Sequence, residues 1–161
     1  MWPLSFASVL SFNASPSTGV PVVLHQDHAY LLLVIVLLFI VNTWAAIKVG
    51  KARKLYDVPY PEMYAEKSNK NAKAFNCVQR AHQNVLENIP LFLVFLFTSA
   101  IFRPQFAAIF GLIRVLGFVA YVQGYASGDP TKRYRGAIGY IGLLGGLVLT
   151  IEAALKLLTV L

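Results

Sequence analysis

A polar stripe interrupts an otherwise apolar sequence between residues 74 and 88. Its side chains recur at spacings of four, three, one and three residues, which collects them on one helical face: Asn76, Arg80, Gln83, Asn84 and Glu87. A charged residue at the centre of a membrane helix costs roughly 2.5 to 3.5 kcal/mol on insertion scales. We therefore expect Arg80 and Glu87 to face protein partners or a polar ligand. The alternative is that both lie at the interfacial end of the helix and extend toward the headgroups.

A second polar group combines aromatic hydroxyls with basic side chains. Tyr121 and Tyr125 are four residues apart and share a helical face, and Arg133 follows in the next polar segment. A single interfacial tyrosine is usually a membrane anchor. Aromatic hydroxyls and guanidinium groups at the same depth in the membrane are less common than a single interfacial tyrosine, and this combination favours a ligand site.

The rest of the composition is typical of a membrane protein. Of 161 residues, 57% are hydrophobic and 13% charged, whereas about a quarter are charged in ordinary soluble domains, and the mean hydropathy is +0.61. Four segments are long enough to cross about 30 Å of hydrocarbon: residues 30–47, 74–102, 105–125 and 136–158. We predict an all-α, integral membrane four-helix bundle that runs up-down-up-down.

The bundle is predicted to occupy one domain, residues 28–161, after a flexible or interfacial N-terminal segment at residues 1–27. Gly142 and Gly146 have the four-residue spacing that permits close helix contact. Glu152 and Lys156 are expected to form an ion pair with each other.

The net charge of +7 arises largely from two short basic loops beside apolar segments: one begins with Lys48 to Lys54 and opens fully at the helix-breaking Pro59 and Pro61, and the other contains Lys132 to Arg135. The positive-inside rule places such loops in the cytosol and explains the charge without a nucleic-acid partner. The single cysteine, Cys77, excludes an internal disulfide. His25 and His28 alone do not make a metal site, and we expect none.

Two stretches carry a resemblance to a known family. They are FNCVQRAHQN at residues 75–84, followed by Glu87 and Pro90, and YVQGY at residues 121–125. They resemble the membrane-associated proteins in eicosanoid and glutathione metabolism (MAPEG), from about residue 30 to the last helix. Within that family the chain resembles the type three microsomal glutathione transferases, including the segments 52–61 and 128–136.

The resemblance implies a homotrimer with each glutathione site between neighbouring subunits. It also implies a set of glutathione contacts: Arg53, Arg80, His82, Asn84, Glu87, Tyr121 and Tyr125. In the family, the thiol-activating arginine follows the second tyrosine by seven or eight positions. We assign this catalytic role to Arg133, with Lys132 and Arg135 as the other basic candidates.

The implied activity is that of a glutathione transferase, with peroxidase activity also within reach. The activated thiol would attack lipophilic electrophiles, as in leukotriene C synthase, or reduce lipid hydroperoxides, with no cofactor beyond glutathione as co-substrate. The family suggests the endoplasmic reticulum or another intracellular membrane, with the glutathione site facing the cytosol.

Some residues depart from the family pattern, and other functions compete with catalysis. Asn88 stands where leukotriene C synthase has a tyrosine, and Phe118 where several members have an arginine. Arg114 lies mid-span and is expected to face the bundle or a subunit contact, with no assigned role. The alternatives are a channel or transporter component and a non-catalytic lipid-binding scaffold. The family's scaffold, the lipoxygenase-activating protein, lacks the counterparts of Arg80 and Glu87.

Overall fold

The computed structural model describes residues 23–159 and is all-helical over that range. A 3₁₀ turn at Gln26–His28 precedes the first helix, and a longer 3₁₀ stretch at Pro130–Ile138, here called the 3₁₀ segment, joins the last two. The long helices are α1 (Ala29–Tyr56), α2 (Ala72–Ser99), α3 (Pro104–Tyr125) and α4 (Gly139–Thr159). The prediction made for residues 1–22 lies outside the described residues.

Three apolar stretches of the described chain are long enough to cross a membrane. They are α1 with its preceding turn, α3, and the 3₁₀ segment together with α4. Helix α2 has the same 28-residue length as α1, but the polar stripe in its first half lowers its hydropathy. The predicted all-α bundle is confirmed, with α2 as its most polar helix.

The four helices alternate in direction. Gln105, near the start of α3, donates a hydrogen bond of 3.0 Å to Asp27, just before α1. Arg103, before α3, pairs at 3.1 Å with Glu152, near the end of α4. Because the link 100–103 is short, the end of α2 lies at this same end of the bundle. The up-down-up-down order is therefore confirmed, as is the pair between Glu152 and Lys156, at 2.7 Å.

The interior and the exterior of the bundle are both apolar. Val85, Val115 and Phe118 are buried in the main core, whereas Phe39 and Val148 on the outside are more than half exposed. In hydrocarbon, helices satisfy their own backbone hydrogen bonds, and apolar side chains are suited to contact with lipid. The apolar exterior is therefore suited to contact with lipid, and the apolar interior forms the protein core.

Helix α1 is longer than predicted. The predicted span ends at residue 47, but α1 continues to Tyr56 and carries basic residues that were expected in a loop: Lys48, Lys51, Arg53 and Lys54. The polar loop predicted to open at Val58 does follow the helix. Lys and Arg are good helix formers, and basic side chains interact favourably with the carbonyl end of a helix. Asp57, with a left-handed φ of 51°, ends the helix. The predicted fourth span also begins later, since residues 136–138 belong to the 3₁₀ segment.

The 3₁₀ segment lies directly against α3 because glycines remove side chains at the contact. A Cβ on Gly124 would lie 2.1 Å from the carbonyl oxygen of Lys132. A Cβ on Gly117 would lie 3.3 Å from the carbonyl oxygen of Gly136 in the segment and 2.3 Å from the Cα of Gly139, the first residue of α4. These are backbone-to-backbone contacts that leave no space for a methyl group.

Glycine has the same function between α4 and its neighbours. A Cβ on Gly142 would lie 2.3 Å from the carbonyl oxygen of Phe110 in α3, and one on Gly146 would lie 3.3 Å from the Cβ of Phe95 in α2. The close helix contact predicted from the glycine spacing is confirmed at Gly142.

We predict that Gly124→Ala destabilises the protein by about 1 to 3 kcal/mol, because the new methyl group overlaps the 3₁₀ backbone. The matched control is Gly50→Ala in α1, where a Cβ meets nothing within 4 Å and alanine is the better helix former by about 1 kcal/mol. Thermal unfolding in detergent measures both variants. Equal stability of the two variants would contradict the tight contact.

Candidate functional site

A cavity of about 200 Å³ lies where α2, α3, the 3₁₀ segment and the start of α4 meet. Its lining residues are Asn84, Arg114, Gly117, Phe118, Tyr121, Arg133, Tyr134, Gly136, Ala137 and Tyr140. Three predicted site residues are therefore brought together, although they come from three different segments of the chain: Asn84, Tyr121 and Arg133. The polar stripe and the tyrosine pair meet at this cavity.

The polar stripe of α2 contains an ion pair whose two residues flank Asn84 along the helix and are not among the lining residues of the cavity. Nη1 of Arg80 lies 2.6 Å from Oε1 of Glu87, two helical turns away, and the side chains are 39% and 44% exposed. Arg80 also interacts electrostatically with Tyr64, whose hydroxyl donates a hydrogen bond to the amide oxygen of Gln83. Tyr64, from the loop between α1 and α2, was missed because its sequence context is an ordinary polar loop.

The two predicted tyrosines are in contact with each other. The rings of Tyr121 and Tyr125 pack edge to face, with centroids 5.6 Å apart. Tyr121 lines the cavity together with Asn84 of the polar stripe and Arg133 of the 3₁₀ segment. Tyr121 therefore connects the charged stripe of α2 to the basic 3₁₀ segment.

The three basic candidates of the 3₁₀ segment have different surroundings. Arg133 lines the cavity and donates a hydrogen bond of 3.3 Å to the Tyr134 hydroxyl. Lys132 instead lies 3.8 Å from the Asp129 carboxylate, and the Arg135 stem lies against Gly124. Hydrogen bonds from the side chain and backbone of Thr131 lower the pKa of Asp129, so that the partner of Lys132 is ionised at neutral pH.

Arg53 contacts the loop between α1 and α2, which also carries Tyr64. Its Nη1 donates hydrogen bonds to the carbonyl oxygens of Glu62, at 2.6 Å, and Val58, at 3.4 Å. Its guanidinium carbon also lies 4.4 Å from the centre of the Tyr60 ring. Arg53 therefore holds the loop that follows α1 and is absent from the lining of the cavity described above.

His82 also lies apart from the cavity lining. Its Nε2 is 3.2 Å from the amide oxygen of Asn42, so this contact joins α2 to α1. Of the predicted site residues, three line the cavity, and five do not: Arg53, Arg80, His82, Glu87 and Tyr125.

Arg114 is a cavity residue for which the sequence suggested no role. It is 4% exposed, and its Nη2 donates a hydrogen bond of 2.7 Å to Oδ1 of Asn88. Its guanidinium carbon lies 4.5 Å from the ring centre of Phe118 and 5.2 Å from that of Tyr140. The expectation that Arg114 faces the bundle is confirmed. The sequence does show that Arg114 and Asn88 are polar residues within apolar spans. It does not show that they contact each other, because they are 26 positions apart and lie on different helices.

The fold and the cavity define a membrane-spanning helical bundle with a cation-lined site toward one end. The MAPEG family model matches residues 31–155, and the chain belongs to that family.

Two kinds of relatives resemble the chain at moderate identity. An uncharacterised protein of Synechocystis sp. is 34% identical over 114 residues, which cover 70% of this chain and 76% of that protein. Microsomal glutathione S-transferase 2 of Homo sapiens is 32% identical over 106 residues, or 64% of this chain and 68% of the relative. The protein of the same name from Bos taurus is 30% identical over the same length.

We predict that the ion pair of Arg80 and Glu87 contributes little to stability, because both side chains are substantially exposed. A double-mutant cycle with Arg80→Gln and Glu87→Gln should give a coupling energy of about 0.2 to 1 kcal/mol in the free energy of unfolding. The matched cycle with Arg103→Gln and Glu152→Gln tests the pair at the other end of the bundle. A coupling far above this range would mean that the α2 pair is structural.

Proposed function

We propose that the cavity binds glutathione and activates its thiol for attack on a lipophilic electrophile. The observation that carries the proposal is the convergence of Asn84, Tyr121 and Arg133 on one cavity of about 200 Å³. Family membership supports it, as do the human and bovine relatives that are named microsomal glutathione S-transferase 2.

The polar groups near the cavity are complementary to glutathione. The tripeptide has two carboxylates, an ammonium group and a thiol. Guanidinium groups such as that of Arg80 suit the carboxylates, because they donate paired hydrogen bonds to them. Glu87 suits the ammonium group, and the amide of Asn84 and the hydroxyls of Tyr121 and Tyr125 supply further hydrogen bonds.

Arg133 is the residue that we propose stabilises the thiolate. A free thiol with a pKa of about 8.5 is only about 3% ionised at pH 7, and a reduction of about 2 units would raise this to about three quarters. Such a shift corresponds to about 2.7 kcal/mol. One charge-assisted hydrogen bond supplies roughly 1.5 to 3 kcal/mol. No metal or organic cofactor is needed for this step.

The second substrate would enter from the bilayer, since apolar helix faces surround the site. A thiolate can form a bond to an electrophilic carbon, as in leukotriene C synthase-like conjugation, or to a peroxide oxygen, as in hydroperoxide reduction. We propose that both reactions use the same thiolate. The basic residues at this end of the bundle support a cytosolic orientation, in the endoplasmic reticulum or another intracellular membrane.

We further propose that three chains assemble and that Arg53 and His82 serve the site of a neighbouring subunit. The support is their position: Arg53 contacts the loop that follows α1, and His82 contacts Asn42, whereas Asn84 and Tyr121 line the cavity. Residues on two sides of one chain can contact one ligand when copies pack side by side.

We predict a saturable thiolate absorption when glutathione is titrated into the purified wild-type protein and followed by ultraviolet difference spectroscopy. Arg133→Ala should remove this signal, because the charge that stabilises the thiolate is lost. Lys132→Ala and Arg135→Ala are the matched controls and should keep it, since the Lys132 ammonium faces Asp129 and the Arg135 stem lies against Gly124.

Other outcomes of the titration would overturn parts of the proposal. Glutathione binding without thiolate absorption in the wild type would favour the non-catalytic scaffold. If glutathione does not bind or stabilise the wild type, the proposed function fails. A signal that is retained in Arg133→Ala and lost in Lys132→Ala would move the activating role to Lys132.

We predict that Arg53→Ala and Arg133→Ala complement each other when the two variants are co-expressed. Each variant alone should lack complete sites, whereas about a quarter of all sites in the co-expressed trimers should be complete under random mixing. The measurement is the thiolate signal per chain, with a mixture of separately purified trimers as the control. If the co-expressed protein gives no more signal than that mixture, the two residues do not act in a shared site.

A further inference from the structure

Arg114 is a buried cation without a counter-ion in the described part of the chain. The residue is 4% exposed, and none of the ion pairs among residues 23–159 includes it. Its Nε is buried and has no hydrogen-bond partner. A buried charge is costly unless it is paired or serves a ligand. This guanidinium has an unused donor and lines the cavity.

The surrounding residues hold this guanidinium in place. Nδ2 of Asn88 donates a hydrogen bond of 2.8 Å to the carbonyl oxygen of Asn84, which turns its Oδ1 toward Arg114. Phe118 and Tyr140 present their rings to the guanidinium. Gly139 leaves it space, since a Cβ there would lie 3.3 Å from Nη1. A group fixed in this way can stabilise a developing charge without reorganising.

The two arginines of the cavity lie at different depths along the bundle. Arg114 precedes Tyr121 by seven positions of α3, which is about 10 Å toward the middle of the helix. Arg133 belongs to the 3₁₀ segment beyond the end of α3. Both line the same cavity. Arg114 is therefore nearer to the region where a lipophilic molecule resides.

We propose that Arg114 binds the oxygen atom of the lipophilic co-substrate that becomes negatively charged during the reaction. This inference rests on the proposed function, which supplies the thiolate at Arg133. The substrate class is a lipophilic epoxide or hydroperoxide, in which an oxygen must leave the atom that is attacked. Arg114 stabilises that oxygen by a charge-assisted hydrogen bond.

The bonding changes balance for both substrates. With a hydroperoxide, the thiolate sulfur bonds to the terminal oxygen, the oxygen–oxygen bond breaks, and the alkoxide leaves with the electron pair. The alkoxide takes up the proton that the thiol released, and a second glutathione converts the sulfenic acid to the disulfide and water. With an epoxide, a carbon–sulfur bond forms, one carbon–oxygen bond breaks, and the alkoxide is protonated.

The test compares electrophiles that differ in the atom that leaves. Cumene hydroperoxide and styrene oxide release a strongly basic oxygen, whereas 1-iodohexane releases iodide, a weak base that needs little stabilisation. Arg114→Met should lower kcat/KM for the oxygen compounds about 100-fold, the loss typical of removing one oxyanion donor. The rate with 1-iodohexane, the glutathione affinity and the thiolate signal should stay close to wild type.

Asn88→Asp provides a second test if Arg114→Met does not fold. A carboxylate at residue 88 would pair with the guanidinium and weaken its attraction for a substrate oxygen, while retaining the link between α2 and α3. The selective loss with oxygen compounds should recur. Arg103→Gln, at the other end of the bundle, is the control and should change none of these rates.

Three other results would overturn the inference. A uniform fall with all three electrophiles and a lower Tm would make Arg114 a structural residue. Loss of the thiolate signal in Arg114→Met would assign it to the glutathione half of the reaction. Absence of turnover of either oxygen compound by a wild type that does form the thiolate would exclude this substrate class. Absence of the thiolate itself in the wild type would instead overturn the proposed function.

Discussion

The close contact between the 3₁₀ segment and α3 is the constraint on which the geometry of the site depends. Gly124 and Gly117 allow the backbone of the segment to approach that of α3 directly. This approach brings Arg133 over the end of α3, beside Tyr121. A larger side chain at either glycine would separate the two backbones and widen the cavity. The geometry of the site therefore depends on these two glycines, because neither has a side chain that would hold the backbones apart.

The order and direction of the helices could be predicted from the sequence because their cause is local. Each span is a run of apolar residues of sufficient length, and successive spans of a membrane protein cross the bilayer in opposite directions. The end of α1 was not predictable from hydropathy, since the residues after 47 are charged but still form a helix. Apolarity indicates where the lipid ends, whereas Asp57 and the following Pro59 determine where the helix ends.

The candidate site was only partly predictable, because sequence patterns describe one helix at a time. Asn84 and Tyr121 belong to helical patterns that indicate their faces, and both line the cavity. The contact between Arg114 and Asn88 joins two helices, and its partners depend on how α2 and α3 are rotated against each other. The positions of Arg53 and His82 depend on contacts with α1 and its following loop. Periodicity describes the face of one helix and does not describe the face that opposes it.

The length of α1 has a consequence for how charged molecules reach this end of the bundle. Its 28 residues rise about 42 Å, about 12 Å more than a hydrocarbon layer of about 30 Å requires. The excess is the basic part of the helix, on the same side as the 3₁₀ segment. Its positive potential raises the local concentration of anions and accelerates their encounter with the protein. Because this field is screened over about 8 Å at physiological ionic strength, the capture of an anionic ligand slows as salt increases.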